Sequence, residues 1–319
     1  MVRSGAPLLL AILLAGCPAA PERPAAPPSG ALTPEEQAAG WVSLFNGRTL
    51  EGWEDPARES PPGDAWTVED GCIKSVSRPR FREDLYTLRT FSDFEFAFEW
   101  RISAGGNSGV KYRIQDRAVL IKGKTYPGAR RFEDMVDYEL THRAGDRSAP
   151  GPGDELEEYA VAFEYQLIDE AAHPDAKQGP DRSAGAIYSM VAPTEQAARP
   201  AGEWNEARIV LRGFHVEHWL NGRRVIDTSL DSEPIRAGLE KRWGVQSPVF
   251  RLLTGQPRRE TPIALQHHND VAWFRNIRIR ELWLSANSLP RPNRVPRASF
   301  YAPAGEKATG MGEFPAPVQ

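Results

Sequence analysis

Phe163-Glu164-Tyr165-Gln166-Leu167-Ile168-Asp169-Glu170, near the middle of a 319-residue chain, carries the alternation of a half-buried strand. Successive side chains of a strand point to opposite faces, so Phe163, Tyr165 and Leu167 share one side and Glu164 and Gln166 the other. The first set belongs to a core. The second places a carboxylate and a carboxamide about 6.6 Å apart, two residues at about 3.3 Å each, which suits a face looking into a cleft. Two other stretches repeat the arrangement. In Asn107-Ser108-Gly109-Val110-Lys111-Tyr112-Arg113-Ile114 the apolar set is Val110, Tyr112 and Ile114, leaving Lys111 and Arg113 opposite. In Ile263-Ala264-Leu265-Gln266-His267-His268, Ile263 and Leu265 leave Gln266 and His268 on the polar side. The three polar faces are expected to line one concave site on a β-sandwich.

The surrounding chain reads as all-β. Short strands at sandwich-like spacing are predicted at Trp66–Val68, Ile73–Val76 and Leu85–Thr90, the first two joined by Glu69-Asp70-Gly71. Phe94–Ile102 alternates cleanly, with Phe94, Phe96, Phe98, Trp100 and Ile102 on one face. Trp204–Leu211 and Phe214–Leu220 predict a hairpin, and Asn221-Gly222 turns the chain into Arg223–Ile226. A short strand is expected at Ala186–Met190 and a closing strand at Val271–Leu284. Thr33-Pro34-Glu35-Glu36 has the pattern of a capping box, and a second short helix is expected around Ile235–Trp243. Residues 115–158 are charged and rich in Gly and Pro, and predict an inserted surface loop that overhangs the site. The expected fold is a single two-sheet jelly-roll sandwich over residues 40–284, with long surface loops.

Lys and Arg number 39 against 43 Asp and Glu, a net charge of −4, so no basic excess points to nucleic acid. At the N-terminus Arg3 precedes the apolar run Pro7–Leu14, too short for the roughly 20 residues of a membrane-spanning helix. It ends in Leu14-Ala15-Gly16-Cys17, which resembles a bacterial lipobox. Residues 1–16 therefore read as a lipoprotein signal peptide and Cys17 as the lipidated first residue of the mature chain. That reading places the protein at the bacterial cell envelope, lipid-anchored on a periplasmic or outer-surface face, touching the membrane through its lipid alone. Residues 17–39 are expected to be a disordered tether with a short helix, and residues 285–319 a Pro-rich tail. With Cys17 acylated only Cys72 keeps a thiol, so no intrachain disulfide can form.

Glu164 and His268 form the pair with the most chemistry in it. A carboxylate and an imidazole on neighbouring strands can share acid–base work, share a divalent metal, or simply bond to each other at a sandwich rim. Lys111 and Arg113 could stabilise a developing anion or remain solvated strand charges. Asn107 follows a Gly-Gly pair, where a turn role and a sugar-hydroxyl contact compete. His215 and His218 lie three apart on a strand and so face opposite ways, which rules out a shared metal. The parity of Leu265 turns His267 away from the site. Glu95 and Glu99 would stand roughly 13 Å apart on one strand. Glycosidase carboxylate pairs need about 5–9.5 Å. The chain contains no Gly-rich phosphate loop, Gly-x-Ser-x-Gly elbow or Cys-x-x-Cys pair.

Seven phrases in order carry a family resemblance: Leu44-Phe45-Asn46-Gly47 through Gly52-Trp53, Val68-Glu69-Asp70-Gly71, Gly105-Gly106-Asn107-Ser108-Gly109-Val110, Glu164-Tyr165-Gln166, Pro200-Ala201-Gly202-Glu203-Trp204-Asn205, Trp219-Leu220-Asn221-Gly222 and Phe274-Arg275-Asn276-Ile277. From Gly40 to Leu282 the chain resembles the 3-keto-disaccharide hydrolase domain family. The resemblance implies a concanavalin-like jelly roll, also related to laminin-G sandwiches, that cleaves 3-keto-glycosides. It implies Glu164 or His268 as base, with Lys111 and Arg113, or a divalent metal, stabilising an enolate. Asn107, Gln166, Gln266 and Tyr188 would contact the sugar. An upstream sugar oxidoreductase would supply the ketone. A non-catalytic carbohydrate-binding module of the same fold is the alternative. The chain departs from the family at one place. Where many members read Leu-Gln-Asp-His-Gly-Asp it has Leu265-Gln266-His267-His268-Asn269-Asp270, so an Asp that could orient the imidazole or hold a metal is missing at 267.

Overall fold

The computed structural model describes residues 30–54, 64–79, 81–126, 128–142 and 156–282. The signal peptide, Cys17, most of the tether and the Pro-rich tail lie outside the described residues. The capping box is present: Thr33 accepts from the Glu36 N–H while Glu36 accepts from the Thr33 N–H, starting α1 (Pro34–Ala38). There follow β1 (Val42–Ser43), β2 (Trp53–Glu54), β3 (Trp66–Glu69), β4 (Cys72–Ser75), β5 (Phe81–Arg82) and β6 (Leu85–Thr87). The long strands β7 (Phe94–Ile102) and β8 (Asn107–Ile121) precede α2 (Phe132–His142) and β9 (Leu156–Ile168). Then come β10 (Asn205–Arg212), β11 (His215–Leu220), β12 (Arg223–Ser229), α3 (Glu233–Trp243), α4 (Pro248–Thr254), β13 (Ala264–Gln266) and β14 (Ala272–Glu281).

Among the described residues these strands make two sheets. The larger has the order β12-β11-β10-β7-β14-β4-β3, with β1 also on β14, and the smaller β2-β6-β13-β8-β9-β5. Turns set the registers: Asp70-Gly71 and Asn221-Gly222 all take left-handed backbone, the conformation a two-residue hairpin turn requires. The apolar sets read from the alternation meet between the layers. Phe96, Phe98 and Phe274 of the larger sheet pack against Val110, Phe163 and Tyr165 of the smaller. Phe98 and Tyr165 meet edge to face at 5.9 Å. Each such side chain contributes about 1.5–3 kcal/mol on burial. The fold is the expected two-sheet sandwich.

Two expectations about the site's strands need correction, besides Ala186–Met190, which is a turn with Ile187 bridged to Tyr165 and Val191 rather than a strand. The loop assigned to 115–158 is partly strand, because β8 continues to Ile121 and α2 follows it. The polar residues that suggested a loop are buried and bonded. Gln115 donates to the carbonyls of Arg113 and Arg258, and Arg117 lies 3.3 Å from Glu158. The second correction concerns parity. Between Tyr112 and Asp116 the β8–β9 register slips, so residues 113–115 stand opposite Ala162 alone. Arg113 takes a left-handed φ of 55° there. Its guanidinium turns to the Gly213 carbonyl (2.7 Å) and to Asp93 (3.6 Å), which flank strands of the larger sheet. Ile114 takes the outer face instead, against Tyr86, Ala160, Ala162 and Ala264. Arg113 is therefore not a site residue.

His215 and His218 do face opposite ways. His215 is exposed beside Asp227 at 2.8 Å, and His218 is fully buried between the sheets. Because the Gly185 carbonyl can only accept, His218 Nδ1 donates to it and Nε2 accepts from the Tyr112 hydroxyl, both at 2.9 Å. The ring is neutral, and burial pushes its pKa down to about 4. The buried His267 is pushed to about 4 by the same cause. Between pH 6.5 and 4 the unfolded chain therefore binds protons that the folded chain refuses. Stability is full above pH 6.5 and falls as the pH drops to 4, by on the order of 3 kcal/mol for each ring. Urea unfolding across this range should show that loss, and His218→Gln should remove about half of the slope; an unchanged slope would place the titration elsewhere.

Candidate active site

The antiparallel registers Lys111↔Glu164 and Lys111↔Ala264 put three neighbouring side chains on the outer face of the smaller sheet. A cleft of about 410 Å³ lies over them, lined by Glu164, Lys111, Asn107, Gln266, His268 and Tyr188 among others. Six of the predicted site residues thus converge. Gln166, the seventh, lies beneath them, wholly buried. With its amide turned to satisfy its neighbours, Gln166 donates to the Ser108 carbonyl (3.2 Å) and to Glu164 Oε1 (3.0 Å).

Glu164 is the centre of the arrangement. Its Oε2 accepts from Gln266 Nε2 at 2.9 Å, and its backbone carbonyl accepts from the Tyr188 N–H at 3.0 Å. The side chain lies flat across Gly109, where a Cβ would come within 2.6 Å of Oε1. Burial pushes the carboxyl up to about 7, with Asp84 adding to the rise and Lys111 opposing it. Lys111 is itself buried and held by Asp84 at 2.7 Å. The other Gln266 atom, Oε1, is a buried acceptor with no partner, free to receive a ligand hydroxyl.

His268 is about 39 % exposed at the side chain, with Nδ1 3.9 Å from Asp270 Oδ2. Its ring faces His173 at 6.1 Å. The expected Glu164–His268 pair therefore shares one cleft, while the imidazole's own neighbours are Asp270 and His173. Ligand atoms of His173, His268 and Asp270 lie within 4.8 Å of one another, two imidazoles and a carboxylate suited to a divalent ion with an open position. One bond stands in the way: His173 Nδ1 accepts the Asp175 N–H at 3.1 Å. Asp270 Oδ2 also accepts the Asn107 N–H at 3.1 Å, tying this corner to β8.

Sequence parity missed four contributors. Asp84 arrives on the turn after β5, Asp175 on the loop after β9, Tyr159 low on β9 and Arg242 at the end of α3. The Tyr188 hydroxyl donates to Asp175 (2.6 Å) and accepts from Arg182 (2.7 Å), and burial pushes it up to about 12. Arg242 stacks over Tyr188 at 4.9 Å and lines the cleft, taking the place expected of Arg113 as the second cation. His267 turns away, its ring bonded to the Val76 carbonyl (2.8 Å) and edge-on to Trp66 (5.5 Å). Glu95 and Glu99 sit on the larger sheet and are taken up by Arg208, Arg280 and Arg275, which removes them as a catalytic pair.

A desolvated carboxylate, a buried lysine, an imidazole and amide groups thus meet in one cleft on a jelly-roll sandwich. Residues 40–280 match the 3-keto-alpha-glucoside-1,2-lyase-like domain, and the chain belongs to that family. It is 32 % identical over 262 residues to a 3-keto-disaccharide hydrolase of Bacteroides thetaiotaomicron, covering 77 % of this chain and 79 % of the relative. A crystal structure of a glycosyl hydrolase candidate from Parabacteroides distasonis superposes with a TM-score of 0.57 at 25 % identity, over 80 % of this chain and 99 % of that one.

Gly109→Ala should push the Glu164 carboxylate off its Gln266 bond at a stability cost of about 1–3 kcal/mol. A crystal structure of the variant and its thermal midpoint check both parts. A carboxylate left in place would mean that the close approach does not hold Glu164.

Proposed function

We propose that this chain cleaves 3-keto-glycosides by elimination followed by hydration. A ketone at C3 acidifies the proton on C2, so one base can start the reaction. Glu164 accepts that proton and the C–H electron pair is held as the C2–C3 enolate. As the enolate collapses, the C1–C2 double bond forms and the C1–O bond breaks, its electrons leaving on an oxygen that takes a proton from water. The hydroxide so formed adds at C1 and Glu164 returns its proton to C2. The observation that carries the reading is a half-buried carboxylate poised near neutrality, beside a buried lysine and among amide donors. Lys111 and Arg242 would stabilise the enolate oxygen, Asn107 and Gln266 would orient sugar hydroxyls, and Gln166 would hold Glu164 from beneath. His268 with Asp270 would handle the water. If His173, His268 and Asp270 hold a divalent ion, it would supply Lewis acidity to the ketone.

The alternative, a sugar-binding module without turnover, predicts dispersed polar groups on an open sheet. Convergence in one cleft favours the enzyme. A test is release of sugar from a 3-keto-disaccharide by purified protein, with and without chelator. The rate should rise with pH through about 7 as Glu164 ionises, and Glu164→Gln should lower kcat by roughly 10²–10⁴-fold with KM little changed. Wild-type turnover by Glu164→Gln protein would remove Glu164 as the base.

We further propose that a sugar oxidoreductase supplies the ketone upstream and that Cys17 anchors the chain at the cell envelope. Supporting the anchor is the Leu14-Ala15-Gly16-Cys17 run alone. Cys17→Ser should move the protein from the membrane to the soluble fraction of the producing cell; an unchanged distribution would refute the anchor.

A further inference from the structure

The cleft has two unlike halves, and Glu164 stands at the boundary. Towards the start of β8 its lining is polar: Asn107, Gln266 and His268. In the other direction β9 presents Ala162 and Ala160, which belong to an apolar cluster on this outer face separate from the main core. Above these alanines stands an aromatic wall. The Tyr159 ring lies 5.7 Å from the Lys111 ammonium and so begins directly beside the acid–base pair. It meets Trp243 of α3 at 5.4 Å and Phe132 of α2 edge-on at 5.6 Å. Leu253 of α4 and Met190 extend the same lining. The helices that interrupt the sandwich thus deliver an aromatic wall to one side of Glu164, with Arg242 stacked over Trp243 at 5.2 Å and, at the far rim, Arg82 paired with Glu157 and Arg117 with Glu158.

In a glycoside that loses its C2 proton to Glu164, the neighbouring C1 carries the leaving group. The sugar's hydroxyls need the polar half, so the leaving group is directed over the alanines. Leu253 and Met190 offer nothing to a second sugar's hydroxyls, and the charges of this half are engaged with one another or with Tyr188, whereas a flat ring would bury both faces against the alanine floor and the Tyr159–Trp243 wall. We infer that the apolar half of the cleft is an aglycone subsite for an aromatic alcohol, so that the substrate is a 3-keto-glycoside of a phenol. This rests on the reading of Glu164 as the base. In the reaction the C1–O electron pair leaves on the phenolate oxygen, which is a good leaving group, and that oxygen then takes a proton from water.

Because a phenolate leaves fast whatever the site does, binding is the deciding measurement. Calorimetry on Glu164→Gln protein should show a phenyl 3-keto-glucoside binding at least ten-fold more tightly than a 3-keto-disaccharide. Adding Phe132→Ala should erase most of that advantage and leave the disaccharide within about two-fold. Equal affinities, or a Phe132→Ala loss shared by both ligands, would overturn the subsite; the two-ligand comparison on the Glu164→Gln single variant does not depend on how well the double variant folds. Turnover by the wild-type enzyme is read separately. A phenyl preference without turnover of either compound would retain the subsite and reject the base, and turnover without the preference would do the reverse.

Discussion

The buried ion pair between Asp84 and Lys111 holds the site together. Both side chains are almost wholly removed from water, at 2 % and 4 % exposure. Such a pair is stable only when its remaining hydrogen-bonding capacity is filled. Here Asp84 Oδ2 takes the ammonium, Oδ1 accepts the His267 N–H at 2.9 Å, and the Asp84 N–H donates to Glu158 at 3.2 Å. Four segments are thereby tied together at one residue: β8 and the residue after β13 bond to the Asp84 carboxylate, and β9 bonds to the backbone N–H of Asp84 on the turn after β5. Lys111 stands directly opposite Glu164, and His268 follows His267, so the carboxylate and the imidazole of the cleft both take their positions from this pair. Removing either charge would leave the other buried alone, a loss of about 3–5 kcal/mol.

How far the site was legible follows from what strand alternation can and cannot see. It found Glu164, Gln166, Lys111 and Gln266 because β9, β13 and the first half of β8 keep an uninterrupted two-residue period. It failed at Arg113 because a bulge reverses parity without changing the pattern of apolar and polar residues. Nothing in Arg113-Ile114-Gln115-Asp116 marks the left-handed residue in advance. Arg242, Asp175 and Asp84 were invisible for a different reason: the first two reach the cleft, and Asp84 reaches Lys111 beneath it, from a helix end and two turns, and no periodicity connects those to a sheet face. The boundary of β8 was lost because Gln115 and Arg117 are bonded inside the fold, whereas sequence alone reads such residues as solvated.

The family departure at 267–270 also has a physical account. Asn269 sits at φ 65°, a left-handed conformation in which Gly is most at ease and Asn is among the better-tolerated substitutes. Asn for Gly is thus a compatible exchange. His267 replaces an acid, but it is neutral and enclosed: one ring nitrogen lies 2.8 Å from the Val76 carbonyl and the other accepts the Asn269 N–H at 3.1 Å. It braces the turn that carries His268 and leaves the acidic partner of that imidazole to Asp270.

The same packing that holds Glu164 also sets its chemistry. A carboxylate in water, with its ordinary pKa of about 4.3, is a weak base for a proton on carbon. Moving it under the protein raises its affinity for protons, and the negative charge of Asp84 raises it further, while Lys111 holds it back. The outcome near 7 leaves a large share of the sites ionised at neutral pH, each a far stronger base than a solvated carboxylate. A fully buried carboxylate without the lysine would be protonated and inert. In the reaction proposed above, one stronger than this would not readily return its proton to carbon. That reaction, which both takes and returns a proton at one carbon, would be best served by a group balanced between the two states, and burial opposed by the cations Lys111 and Arg242 gives such a group here.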